Sequence, residues 1–101
     1  AAKIRTRRML EEMTRDGKLH VRRNNLDFNA EAAKAYYLSL DEEKRLLLLG
    51  NVGRKADNSF RLFQENQEKE EISSGDIENY KNSALFWGEV WDFLSSIKIA
   101  A

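Results

Sequence analysis

The stretch IENYKNSALFWGEVWDFLSSI, residues 77–97, decides the fold that the sequence predicts. Its apolar side chains recur at alternating spacings of three and four residues, the period of a helix with one continuous apolar seam. Other apolar residues beside the seam widen it into a broad face, which needs further helices to cover it. The seam consists of Ile77, Tyr80, Ala84, Trp87, Trp91 and Leu94, and the residues beside it are Phe86, Val90, Phe93 and Ile97.

The N-terminal part of the chain predicts a helix and then a segment with two interpretations. Residues 2–15 place their apolar side chains on one side of a helix, and Asp16-Gly17 is a typical helix end. In 18–28, apolar and polar residues alternate around Asn24-Asn25. This pattern fits a short β-hairpin, and it fits equally an ordered loop that places apolar side chains on a helical core.

Two more helices are predicted in the middle of the chain. Asn29 is a good N-cap for the alanine-rich run that follows it. Ser39 and Glu42 have the spacing of a capping box, in which each side chain bonds the backbone of the other residue. A new helix is therefore expected near Leu40, and it should carry residues 46–49 into the core.

Residues 50–53, GNVG, are the main interior break in this pattern. Two glycines so close together favour a turn, although a longer helix tolerates glycine at about 1 kcal/mol each. We expect a turn here, followed by a helix that starts at Asp57 or Asn58 and buries Phe60 and Phe63.

The predicted fold is an all-α bundle of four to five helices, with a possible β-hairpin or ordered loop at 18–28. At 101 residues the chain suits a single domain, 1–101, made of a basic N-terminal segment, 1–23, and a main helical bundle, 29–98. There is no cysteine, no signal-peptide pattern and no apolar run longer than 46–49. These features favour an intracellular protein with no membrane segment.

Charge is distributed unevenly along the chain. The segment 1–23 holds eight basic and three acidic residues, a net charge of +5, so the remaining 78 residues carry −5. A basic segment attracts phosphates and releases their counterions, which predicts nucleic-acid binding. The same polarity is also typical of self-association. The candidate nucleic-acid-binding residues are Arg5, Arg7, Arg8, Arg15, Lys18, His20, Arg22 and Arg23.

The sequence offers no catalytic or cofactor motif. His20 is the only histidine, and nothing near it has the spacing of a catalytic triad or a metal site. Residues 50–55, GNVGRK, lack the spacing and the hydroxyl of a phosphate-binding loop. We therefore expect a protein that is not an enzyme and that uses no metal, no cofactor and no small-molecule substrate.

The C-terminal helix supports an alternative function. Its aromatic residues are of the types enriched at protein interfaces, although tryptophans on an apolar helix face usually belong to the core. The leading hypothesis is a small accessory or regulatory nucleic-acid-binding protein that self-associates. The alternative is a protein–protein adaptor or inhibitor that binds through this helix or through the acidic stretch 65–78. The candidate protein-interface residues are Phe86, Trp87, Trp91 and Leu94.

Overall fold

The computed structural model describes residues 2–17 and 28–100, and within these ranges the chain forms four α-helices and no β-strand. The predicted all-α bundle is confirmed. The choice between a hairpin and a loop falls mostly on 18–27, outside the described residues. None of the described helices is both long enough and apolar enough to cross a membrane. The helices are α1 (Ala2–Arg15), α2 (Ala30–Ser39), α3 (Glu42–Asn66) and α4 (Ser74–Ala100).

Two of the predicted helix boundaries are confirmed by local geometry. After α1 the chain turns at Gly17, whose φ of 70° lies in the left-handed region that glycine adopts without strain. The side chain of Asn29 caps α2 by accepting a hydrogen bond from the backbone N–H of Ala32 at 2.8 Å. The N–H of Asn29 in turn donates to the hydroxyl of Thr6 at 2.9 Å, which joins the start of α2 to α1.

The capping box at the start of α3 was wrongly predicted. Asp41 is the N-cap, and its carboxylate accepts a hydrogen bond from the backbone N–H of Lys44 at 2.8 Å. The hydroxyl of Ser39 instead donates to the carbonyl oxygen of Tyr36 at 2.6 Å. A carboxylate at this position also interacts favourably with the helix dipole, so the aspartate replaces the serine in the capping role.

The predicted turn at 50–53 is also wrong, because α3 runs through these residues without a break. Tertiary contacts explain the polar and small residues there. Asn51 is buried, and its side-chain amide donates a hydrogen bond to the carbonyl oxygen of Met13 near the end of α1. A Cβ on Gly53 would lie 3.1 Å from the indole nitrogen of Trp91, so glycine allows α4 to approach closely.

α3 also caps the end of α2. The guanidinium of Arg45 donates to the carbonyl oxygens of Tyr37 and Leu38 at 3.1 and 2.8 Å. These carbonyls belong to the last turn of α2, where that of Tyr37 also accepts a hydrogen bond from the backbone N–H of Leu40 at 3.2 Å. A cation is favourable at this negative end of the helix dipole. Asn51 and Arg45 thus fix the C-terminal ends of the two short helices against α3.

α3 and α4 form an antiparallel hairpin. The hydroxyls of Ser59 and Ser83 lie 3.2 Å apart, and Gly53 contacts Trp91 further along. α1 and α2 cover one face of this hairpin, where the ring of Phe28 also packs edge-on against two phenylalanines of α4. The buried core is formed by Met9, Leu10, Met13, Ala33, Tyr37, Leu48, Leu49, Val52, Trp87, Val90, Leu94 and Ile97.

The short helices cover only part of the hairpin, and this corrects the predicted core. In the range 57–86 Ser59 is the sole buried residue, with 6% of its surface exposed. Phe60, expected in the core, has 52% of its surface exposed, and Phe63 is only half-buried. In the run 46–49, the last two leucines are buried but the first two are about half exposed.

Candidate functional site

The outward side of α1 is the part of the predicted basic surface that the structure describes. Thr6, Met9, Leu10 and Met13 are buried and define the inward side of this helix. At 100° per residue, Arg8 and Arg15 project from the opposite side, and both are exposed. They lie seven residues apart, or about 10 Å along the helix axis.

The other two arginines of α1 lie on its flanks. Arg5 and Arg7 are both exposed, but they project from different sides of the outward face. The guanidinium of Arg7 is hydrogen-bonded to the carboxylate of Glu11 at 2.9 Å, a local ion pair one helical turn away. Arg7 therefore has less free positive charge than Arg8. Lys18, His20, Arg22 and Arg23 lie outside the described residues.

An open groove runs between α1 and α2 beside this surface. Its walls are mostly apolar, and Lys3 and Arg7 bring two positive charges to it. Tyr36 lies in the same groove, and its hydroxyl donates to that of Thr14 at 3.2 Å. The groove is lined by Lys3, Ile4, Arg7, Ala32, Ala35, Tyr36 and Ser39.

The structure separates the four residues that the sequence suggests for a protein interface. Trp87 and Leu94 are buried in the core, so the folded chain does not present them to a partner. Phe86 is half-buried, and its ring lies 6.2 Å from that of Phe28. Trp91 alone of the four is largely accessible, with 42% of its surface exposed.

Trp91 belongs to a surface on the far side of the hairpin from α1 and α2. Asn51 of α3 and Phe93 of α4 face the short helices. Two residues that lie two positions apart on a helix point about 200° apart. Gly53 and Trp91, which contact each other, therefore lie on the opposite face. We call this surface the outer face, and it consists of two rows with seven-residue spacing: Leu46, Gly53 and Phe60 on α3, and Ile77, Ala84 and Trp91 on α4.

Sequence reasoning missed the α3 half of the outer face. The size and apolarity of Leu46 and Phe60 predict core positions, but 49% and 52% of their surfaces are exposed. The seven-residue spacing from Leu46 through Gly53 to Phe60 was present in the sequence. It was hidden by the wrong turn at 50–53, which placed these residues on two different helices.

Tyr37 is a titratable residue in the buried core. Burial raises the pKa of the Tyr37 phenol, and the positive charge of Arg45 partly offsets that increase. Tyr37 therefore stays neutral at physiological pH as a core residue. No three histidine, aspartate or glutamate side chains converge as metal ligands in the part of the chain that the structure describes.

Comparison of the chain with protein-family models, with curated proteins and with solved structures gave no match. Function is therefore inferred from the geometry of this chain alone.

Proposed function

We propose that this chain is a non-catalytic accessory protein that binds nucleic acid through the outward side of α1. The observation that carries the proposal is the pair Arg8 and Arg15. Both guanidinium groups are exposed on the same side of one helix, and within residues 2–17 and 28–100 no acidic side chain engages either of them. Arginine binds phosphate oxygens through two parallel hydrogen bonds, so an unpaired exposed pair suits a phosphate backbone.

The chain supplies more positive charge next to this pair. α1 ends at Arg15, and Lys18, Arg22 and Arg23 follow within eight residues. On this proposal, these side chains extend the phosphate-binding surface beyond the helix. Binding would then depend mainly on charge and counterion release and only weakly on base sequence.

The test is binding to short DNA and RNA, single- and double-stranded, across a salt series. Each phosphate contact contributes about −0.9 to the slope of log K against log salt for duplex DNA, so Arg8→Ala/Arg15→Ala should reduce the slope by about two. Arg7→Ala should reduce it less, because Glu11 already pairs with that guanidinium. Lys44→Ala/Arg61→Ala, at two exposed positions on α3, removes the same two positive charges and is the control.

Two results would contradict this proposal. One is the absence of binding to any of the four nucleic acids at low salt. The other is a salt slope for the Arg8→Ala/Arg15→Ala variant that equals the slope for Lys44→Ala/Arg61→Ala.

The second candidate function is that of a protein–protein adaptor, and the outer face of the hairpin favours it. Phe60 and Trp91 are aromatic, exposed and outside the cover of α1 and α2. In the same salt series, Phe60→Glu should leave the slope unchanged if phosphates bind α1. A loss of a protein partner with Phe60→Glu, and retention of that partner with Arg8→Ala/Arg15→Ala, would favour the adaptor.

A further inference from the structure

The groove between α1 and α2 adjoins the outward side of α1. Arg7, on the α1 wall of the groove, and Arg8, on the outward side, are consecutive residues and point about 100° apart. On a helix about 11 Å across, that angle corresponds to about 10 Å of surface. A strand whose phosphates bind Arg8 can therefore reach the groove within a few nucleotides.

Tyr36 lines the groove with an aromatic ring that is fixed in position. Its hydroxyl donates to Oγ1 of Thr14 at 3.2 Å, and the Thr14 hydroxyl donates to the carbonyl oxygen of Leu10 at 2.7 Å. Thr14 is buried, so these bonds join the tip of the ring to the inward side of α1. A ring held in this way loses little conformational freedom when a planar group stacks on it.

Small side chains keep the groove open beside this ring. Ala32 and Ala35 lie next to Tyr36 on the α2 wall, and the groove has a volume of about 400 Å³. Known small-molecule sites have volumes of about 300–1,000 Å³. Because the groove is open along its length, a planar group can enter it while it remains joined to a longer chain.

The α1 wall brings positive charge to the groove. Lys3 and Arg7 line it and are exposed, and among the described residues neither wall contributes an acidic side chain. Glu11 bonds the Nε atom of Arg7, so the two terminal guanidinium nitrogens are not part of that bond. An apolar, aromatic groove with cations at its rim suits a planar group that has phosphates on either side.

We propose that the groove holds an unpaired base of a single-stranded nucleic acid, stacked on Tyr36, with the flanking phosphates on Lys3 and Arg7. Single strands offer bases that stack on aromatic side chains, whereas the bases of a duplex are already paired and stacked on each other. Stacking accepts any base, so it adds affinity with little sequence preference. This inference rests on the proposed function and names its substrate class, nucleic acid with unpaired bases.

The first experiment compares binding of mixed-sequence single strands and of the matching duplexes, as DNA and as RNA, at one low salt concentration. Tyr36→Leu should weaken single-strand binding by about 5- to 150-fold, the loss of one stacked base, and leave duplex binding unchanged. Tyr36→Phe should keep the single-strand affinity because it retains the ring. Tyr80→Leu is the matched control, since Tyr80 is also half-buried but lies on α4, outside the groove.

The second experiment fills the groove and leaves the ring in place. Ala35 is exposed, so Ala35→Leu should fold like the wild type, which circular dichroism checks. It should weaken single-strand binding with an unchanged salt slope, whereas Lys3→Ala should reduce the slope by about 0.7, the value for one phosphate on a single strand. A single-stranded probe that lacks bases should bind the wild type and Ala35→Leu equally.

The possible failures separate this inference from the proposed function. A Tyr36→Leu variant whose single-strand binding falls no more than its duplex binding would overturn the base site. So would an Ala35→Leu variant that binds single strands as the wild type does. Either result leaves phosphate binding by Arg8 and Arg15 intact, whereas the absence of binding to any nucleic acid at low salt would overturn both proposals.

Discussion

The two faces of the α3–α4 hairpin carry similar side chains but have different environments. On the inner face, Phe86 and Phe93 pack against Phe28, under the layer formed by α1 and α2. On the outer face, Phe60 and Trp91 are about half exposed. Both faces are apolar in sequence, so hydropathy alone does not determine which one is covered. The difference depends on where the short helices attach.

A few polar contacts determine where α1 and α2 attach to the hairpin. Asn51 and Arg45 bond the C-terminal ends of α1 and α2, and both project from α3. Both side chains donate to backbone carbonyl oxygens in the last turns of the short helices, which makes a particular placement favourable. The contact of Asn51 is buried and those of Arg45 are partly buried or exposed, and together they explain why the short helices occupy one face and leave the other open.

The largest expected effect contrasts the core of the bundle with the outer face. Leu94→Ala should lower the free energy of unfolding by about 2–5 kcal/mol, because it leaves a cavity at a fully buried position. Phe60→Ala removes a larger side chain but should cost less than about 1 kcal/mol in the monomer, since half of that side chain is already in water. Urea denaturation at submicromolar protein concentration measures both. A similar loss for the two variants would show that Phe60 is covered within one chain.

A smaller effect tests what holds α1 on the inner face. Asn51→Ala leaves the carbonyl oxygen of Met13 without its donor, so we expect a loss of about 1–3 kcal/mol. The control is Asn66→Ala, because the Asn66 amide bonds the carbonyl oxygen of Leu62 in its own helix at an exposed position. That change should stay within about 0.5 kcal/mol. Equal effects in urea denaturation would mean that the contact between Asn51 and α1 adds no stability.

The smallest effect concerns the glycines that sequence reasoning interpreted as a turn. A Cβ at Gly50 meets nothing within 4 Å, so Gly50→Ala should stabilise the helical backbone by about 0.5–1 kcal/mol. A Cβ at Gly53 meets the Trp91 indole at 3.1 Å, so Gly53→Ala should stabilise less or destabilise. Thermal unfolding followed by circular dichroism compares them. A loss of stability with Gly50→Ala would contradict a continuous α3.

The fold class could be predicted because it depends on local patterns. The seam at 77–97 gave the longest helix, and Asn29 and Gly17 marked helix ends through their own backbone chemistry. The break at 50–53 was misread because the reasons for its residues are tertiary. Asn51 bonds a helix far away in sequence, and Gly53 makes room for Trp91. No local pattern carries that information.

The sequence indicates the types of residue at the candidate sites but not which of them the fold leaves exposed. The sequence identified the arginines of α1, but only the helix geometry separates the outward pair, Arg8 and Arg15, from Arg7 and its partner Glu11. Likewise, the sequence identified the aromatic seam of α4 without distinguishing its buried from its exposed members. Burial depends on which side the other helices cover, and this is a property of the assembled fold.

The most direct test of the difference between the two faces uses the two tryptophans of α4, which lie one helical turn apart. Trp87 is 2% exposed and Trp91 is 42% exposed. Acrylamide quenching of Trp91→Phe and Trp87→Phe reports on one indole at a time. We predict that Trp87 is protected from the quencher and that Trp91 is readily quenched. A Trp91 that is as protected as Trp87 would contradict an open outer face.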